Sequence, residues 1–121
     1  MRVLSLVVGT ALVILLGCGQ DEPVVACTAI LIYGLDVTVT DATGRSICDA
    51  TVTVSDGDYR EILPGGLGQS CHYSGAAERR GRYQVVVQRA GYLSESRLIE
   101  VLSDVCHVRT VAATFILRAA Q

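Results

Sequence analysis

Between Asp36 and Val54 the chain reads DVTVTDATGRSICDATVTV. Valines alternate with threonine or aspartate on both sides of a glycine-containing turn. A period of two fits a β-strand, whose successive side chains point to opposite faces, whereas a helix spreads such a pattern around its whole circumference. Leu35, Val37 and Val39 therefore share one face, with Asp36, Thr38 and Thr40 on the other. After the turn, Val52 and Val54 face inward and Thr51 and Thr53 outward. β-branched side chains suit both segments. In Asp41-Ala42-Thr43-Gly44 the glycine supplies a positive φ and the Asp41 carboxylate can cap the turn's amides. The stretch predicts strand, turn and strand, with Cys48 in the connection.

The same alternation recurs downstream. Tyr83, Val85 and Val87 oppose Gln84, Val86 and Gln88; Leu93, Ile99 and Val101 oppose Ser94, Ser96 and Glu100; Val111, Ala113, Phe115 and Leu117 share a face. Strands are predicted at residues 29–40, 50–55, 59–63, 70–74, 81–90, 93–101 and 107–117. Residues 75–80 read as a polar turn and residues 64–68, Pro-Gly-Gly-Leu-Gly, as a flexible loop. Residues 29–33 are apolar on both faces, which predicts an edge covered by another segment. Short alternating strands punctuated by turns predict an all-β, Ig-like antiparallel sandwich of about seven strands. With one Phe and no Trp, its core must be built of Val, Ile, Leu and Tyr.

The N-terminus reads differently. Arg2 precedes an apolar run over residues 3–16, broken only by Ser5, Gly9 and Thr10. A membrane-spanning helix needs about 20 such residues, so this run has the length of a signal-peptide core. It closes on Leu15-Leu16-Gly17-Cys18, followed by polar residues. This resembles the lipobox of bacterial lipoproteins, with Leu16 where a small residue is commoner. The resemblance implies a helical signal peptide over 1–17, cleavage before Cys18, diacylglyceryl and acyl chains on Cys18, a lipidated tether over 18–26 and a domain over 27–118. It makes the membrane a partner through the lipid anchor. It implies a bacterial cell-envelope location, in the outer membrane, since Gly19 stands where aspartate retains some lipoproteins in the inner membrane.

Cys27, Cys48, Cys71 and Cys106 remain. An even number in an exported domain of this size reads as two disulfides, with three pairings open. Cys48–Cys71 with Cys27–Cys106 is the favoured set: Cys27 precedes the first strand and Cys106 the last, and if those strands run side by side in parallel both cysteines lie at one end. The rival is a metal site from Cys71-His72 and Cys106-His107. Neighbouring strand residues point apart, however, and there is no CxxC or HxxxH spacing, so no metal and no cofactor is expected.

Four motifs in order carry a second resemblance: Asp41-Ala42-Thr43-Gly44, Ala50-Thr51-Val52-Thr53-Val54, Gly81-Arg82-Tyr83 and Ala90-Gly91-Tyr92. Together they are similar to the carboxypeptidase regulatory-like domain, across about residues 37–117. Asp49 departs from the glycine usual before that alanine, and cysteines 48, 71 and 106 are additions. The resemblance implies a transthyretin-like (prealbumin-type) sandwich, kin to starch-binding-like folds, that accompanies a peptidase without cleaving.

Nothing in the residues supplies catalysis. Ser46, Ser70 and Ser74 lack GxSxG context, and neither His72 nor His107 begins an HxxE pair. Asp56 and Asp58 offer hard oxygens for calcium, but no closing Glu follows. The net charge of −2 disfavours nucleic acid, and Arg79, Arg80 and Arg82 read as a solvated turn beside Glu78. Tyr83 and Tyr92 read as core and corner residues; Tyr33, Tyr59 and Tyr73 are the expected exposed aromatics. The sequence thus predicts an anchored, non-enzymatic module with a structural or protein-interaction role. The alternative is a carbohydrate-binding module using the loop between Asp58 and Tyr73, with Tyr59 and Tyr73 as ligand contacts to a polysaccharide partner.

Overall fold

The computed structural model describes residues 17–19, 22–65 and 71–121. Residues 1–16 of the expected signal peptide, residues 20–21 of the expected tether and residues 66–70 at the expected flexible loop lie outside the described residues. Seven strands form: β1 (Tyr33–Asp41), β2 (Thr51–Asp56), β3 (Tyr59–Ile62), β4 (His72–Ala77), β5 (Gly81–Gln88), β6 (Glu95–Val101) and β7 (Val111–Leu117). They make two sheets, one ordered β4-β1-β7 and the other β3-β2-β5-β6. The predicted all-β sandwich is what the chain adopts.

The alternation sets the packing. Leu35, Val37 and Val39 of β1 and Ala113, Phe115 and Leu117 of β7 face Val52 and Val54 of β2, Tyr83, Val85 and Val87 of β5 and Ile99 and Val101 of β6 across one continuous core. No polar or charged residue among those described is buried. Every side-by-side pairing is antiparallel except β1 with β7, which run parallel with Leu35 beside Val111 and Asp41 beside Leu117.

This register gives the sandwich two distinct ends. At the near end lie the N-terminal segment, the β2–β3 turn, the β4–β5 turn and the β6–β7 connection. At the far end lie the β1–β2 connection, the β3–β4 loop, the β5–β6 turn and the C-terminus. Cys27–Cys106 closes the near end, with Cα atoms 5.3 Å apart, and Cys48–Cys71 the far end, with Cα atoms 4.9 Å apart. Both favoured pairings form. The parallel β1–β7 pair is what brings Cys27 to Cys106.

Three expectations change. Residues 29–32 are not strand and β1 is a central strand, not an edge; Ile32 instead bonds to Glu78, its N–H donating to the carboxylate at 2.9 Å and its carbonyl accepting from the Glu78 N–H at 2.9 Å. β4 runs on through Ala77, so residues 75–77 of the expected polar turn continue the strand and the turn itself is confined to residues 78–80. Gly75 is there for room, because a Cβ would lie 2.1 Å from a Leu63 methyl. Leu93, expected inward, is exposed and precedes β6; its N–H donates to the Arg118 carbonyl at 2.9 Å.

Candidate functional site

The near end is where residues 22–32 meet the sandwich. Beyond the disulfide, Glu78 in the β4–β5 turn gathers three partners. Its carboxylate accepts from the Ile32 N–H, lies 2.6 Å from His107 Nδ1 and accepts from the Val108 N–H at 3.4 Å. Burial pushes this carboxyl up, but those hydrogen bonds outweigh it and hold Glu78 below its ordinary range. The other ring nitrogen of His107 lies 3.1 Å from the Thr28 hydroxyl. Asp104 Oδ1 accepts from the Cys106 and His107 N–H groups at 2.8 and 2.9 Å, which lowers its pKa. Two non-adjacent segments, residues 27–32 and 102–109, are thus held together by one disulfide and one carboxylate–histidine pair. Around them Ile30, Leu31, Leu102 and Val105 are each more than half exposed.

The far end is tied by different chemistry. Asp41 Oδ1 accepts from the Thr43 N–H at 2.8 Å, the Thr43 hydroxyl at 2.6 Å and the Arg45 N–H at 3.0 Å, while Gly44 takes φ +86°. The Thr43 hydroxyl is foremost in lowering the Asp41 pKa. Arg89 grips both oxygens of Asp49, at 2.7 and 3.0 Å, and lowers the Asp49 pKa. These are turn and loop braces around Cys48–Cys71.

The predicted ligand tyrosines do not converge. Tyr73, expected exposed, has 1% of its surface accessible. Its hydroxyl donates to the Ile47 carbonyl at 2.9 Å and accepts from the Ala50 N–H at 3.0 Å. Its ring faces the core because β4 pairs Tyr73 with the inward-facing Val37. A ring with no free face cannot stack on a sugar. Tyr59 sits at the near end beside the β2–β3 turn, half-buried, with the Arg79 guanidinium 4.0 Å from its ring centre. Burial and a hydrogen bond to Glu61 push its pKa up to about 12. Arg79 also donates to Asp56 and to the Tyr83 hydroxyl, each at 3.0 Å, and Tyr83 donates back to the Arg79 carbonyl at 2.7 Å. This brace locks the β4–β5 turn to the core. Tyr92, by contrast, is half-buried against the core's rim.

The outer face of the β4-β1-β7 sheet carries the closest approach to a catalytic set. His72 Nδ1 lies 2.7 Å from Asp36 Oδ1, beside a shallow cleft of about 250 Å³ lined by Tyr33, Pro64, Gly65, His72 and Ser74. The Ser74 hydroxyl, however, points at the same Asp36 oxygen, 3.4 Å away, because Asp36 and Ser74 are cross-strand partners. A serine activated by a histidine needs its hydroxyl on the free imidazole nitrogen; here the serine and the imidazole share one acceptor. No group of three or more His, Cys, Asp or Glu side chains among the described residues is placed to hold a metal ion.

Glu78 as an organiser was not visible in the sequence, where it reads as the acidic neighbour of an arginine cluster. Its pairing with His107 spans 29 residues and depends on the β4–β5 turn meeting the β6–β7 connection. The fold and both covalent cross-links define a small disulfide-bonded β-sandwich. The chain matches no family model, and no curated protein sequence matches it.

Proposed function

We propose that the protein is a lipid-anchored, non-catalytic module of a bacterial cell envelope, attached through Cys18 and serving a structural or protein-interaction role. One observation carries this reading: the Cys27–Cys106 disulfide fastens the chain to the near end of the sandwich nine residues after Cys18. A lipid on Cys18 would therefore hold a folded body, with its near end toward the membrane and its far-end loops outward. Two disulfides add support, since such bonds persist in oxidising compartments outside the cytoplasm. Several acyl chains are needed for stable attachment, because one chain binds only marginally.

Membership of the carboxypeptidase regulatory-like family is part of the same proposal. Its four motifs fall at the β1–β2 turn, at β2, at the start of β5 and at the turn before β6. They mark turns and core positions, consistent with an accessory module rather than an active site. The carbohydrate alternative loses one of its two motivating tyrosines in Tyr73, which is buried.

The test is the mature N-terminal peptide. Mass spectrometry of the membrane-fraction protein is expected to show a chain starting at Cys18 with acyl mass on that residue. An unmodified start at any other residue refutes the anchor. Cys18→Ala is expected to abolish the acylated species.

A further inference from the structure

We propose that the near end of the sandwich lies directly on the bilayer surface, with Ile30, Leu31, Leu102 and Val105 as the side chains that enter the interface. This rests on the proposed anchor at Cys18 and names a second, protein-borne contact with the same membrane.

The four residues come from two segments that the disulfide joins. Val105 precedes Cys106, and Leu102 stands at the root of the same loop, where its carbonyl accepts from the Arg109 N–H at 2.8 Å. Ile30 and Leu31 lie between Thr28, which contacts His107, and Ile32, which is bonded to Glu78. Their exposures are 59% for Ile30, 61% for Leu31, 55% for Leu102 and 81% for Val105. Grouped apolar side chains at one tip mark a contact surface, whereas scattered ones do not. The tether adds to them: Val24 is 96% and Val25 55% exposed.

The occupant is argued from the length of chain between the tip and the anchor. Cys27 lies nine positions after Cys18, and fully extended that stretch reaches only about 30 Å. That is similar to the span of the domain itself, which has a radius of gyration of about 13 Å at this size. The tip that carries the disulfide is therefore the part of the sandwich nearest the lipid. The far end cannot reach the interface without the tether doubling back along the sandwich. Of the acidic groups at this end, Asp58 in the β2–β3 turn is exposed and Asp56 is paired with Arg79, while two more are engaged within the tip itself. Glu78 and Asp104 accept hydrogen bonds from Ile32, His107, Val108 and Cys106. Arg80 and Arg82 are exposed at the same end, where guanidinium groups can meet lipid phosphates.

The experiment uses the mature lipidated protein, reconstituted in phosphatidylethanolamine–phosphatidylglycerol vesicles that contain a diazirine lipid activated near the headgroups. Flotation and acyl mass on Cys18 report the anchor; cross-linked peptides report the contact. Cross-links are expected on residues 30–31 and 102–105 as well as on the tether. In Leu31→Ser/Val105→Ser, which alters two exposed side chains and leaves the disulfide intact, cross-links at 102–105 are expected to fall about tenfold while the protein still floats. Flotation with cross-links confined to residues 18–26 overturns the inference and leaves the anchor standing. A chain without acyl mass that stays off the vesicles removes both.

Discussion

Tyr73→Phe separates a structural tyrosine from a ligand-binding one. The substitution removes one oxygen and keeps the ring, so the packing of β4 against β1 is undisturbed. What is lost is the bridge between the Ile47 carbonyl and the Ala50 N–H, at 2.9 and 3.0 Å from the hydroxyl. Both backbone groups belong to the β1–β2 connection, whose bridge to β1 uses the Ile47 N–H, donated to the Val39 carbonyl at 2.8 Å, and not the Ile47 carbonyl. A hydrogen bond contributes about 1 kcal/mol net, and each buried group left unsatisfied costs about 1–3 kcal/mol. With two groups orphaned at once, the one at Ala50 only part-buried, the loss is about 2–4 kcal/mol. In a domain of this size that lowers Tm by roughly 4–8 °C per kcal/mol. Urea unfolding of the disulfide-intact protein, followed by far-UV circular dichroism, reads the change as a shifted midpoint at constant slope. Only that midpoint distinguishes the two roles, because a stacking tyrosine keeps its π face in phenylalanine and loses no stability. A Tyr73→Phe protein within about 0.5 kcal/mol of wild type refutes the reasoning, since surface-like substitutions fall in that range.

The two disulfides are expected to differ in weight. Closing 23 residues by Cys48–Cys71 stabilises by about 3.4 kcal/mol from loop-closure entropy, and closing 79 residues by Cys27–Cys106 by about 4.5 kcal/mol; paired Cys→Ala variants in urea titrations check both figures, and equal or reversed losses overturn the ordering. Acid is expected to weaken the fold. Asp41, Asp49, Glu78 and Asp104 all have pKa values lowered from ordinary values of 3.8 for Asp and 4.5 for Glu. Their stabilisation is complete above those values and is lost as pH falls through the lower folded ones. Thermal melts should therefore be level from pH 7 to about 5.5 and decline from there toward pH 3; a Tm that rises below pH 4.5 contradicts the sign.

How far the sequence could be read depended on whether a residue's environment was local. Leu35, Val37 and Val39 could be placed because a strand's period fixes their common face whatever lies opposite. Asp41 and Gly44 could be placed because a turn is closed by its own residues. The pairing of Cys27 with Cys106 followed from one topological assumption, that the first and last strands run parallel, and the sheet order satisfies it. Tyr73 failed because β4 is short and small-residue-rich, so its inward face is set by registry with Val37 rather than by a pattern of its own. Gly75 and Ala76 read as a turn by propensity, yet a Cβ at Gly75 would lie 2.1 Å from Leu63 and 2.8 Å from Glu61, and the Ala76 N–H donates to the Glu61 carboxylate at 3.0 Å. No window of neighbouring residues contains that information. Ile30 and Leu31 differ in the opposite way, since an apolar run reads as a covered edge strand and is an exposed segment instead.

That exposed segment explains why the near end needs a covalent bond. Residues 27–32 pair with no strand, and their non-covalent hold is the two hydrogen bonds between Ile32 and Glu78, the Thr28–His107 contact and the packing of half-buried Ile32 against the core. Surface polar contacts of this kind contribute about 0–1 kcal/mol each. Without the disulfide the segment could peel away at little cost, and a tether leaving from Tyr33 rather than Cys27 would be six residues longer, adding about 20 Å of reach. If the chain is anchored as proposed, the sandwich would then ride on a longer tether, its near end held less closely to the lipid. Cys27–Cys106 removes that freedom at the one point where the strands do not. On the anchored reading, its role is therefore orientation as much as stability: it decides which loops face the membrane and which, braced by Cys48–Cys71, face outward.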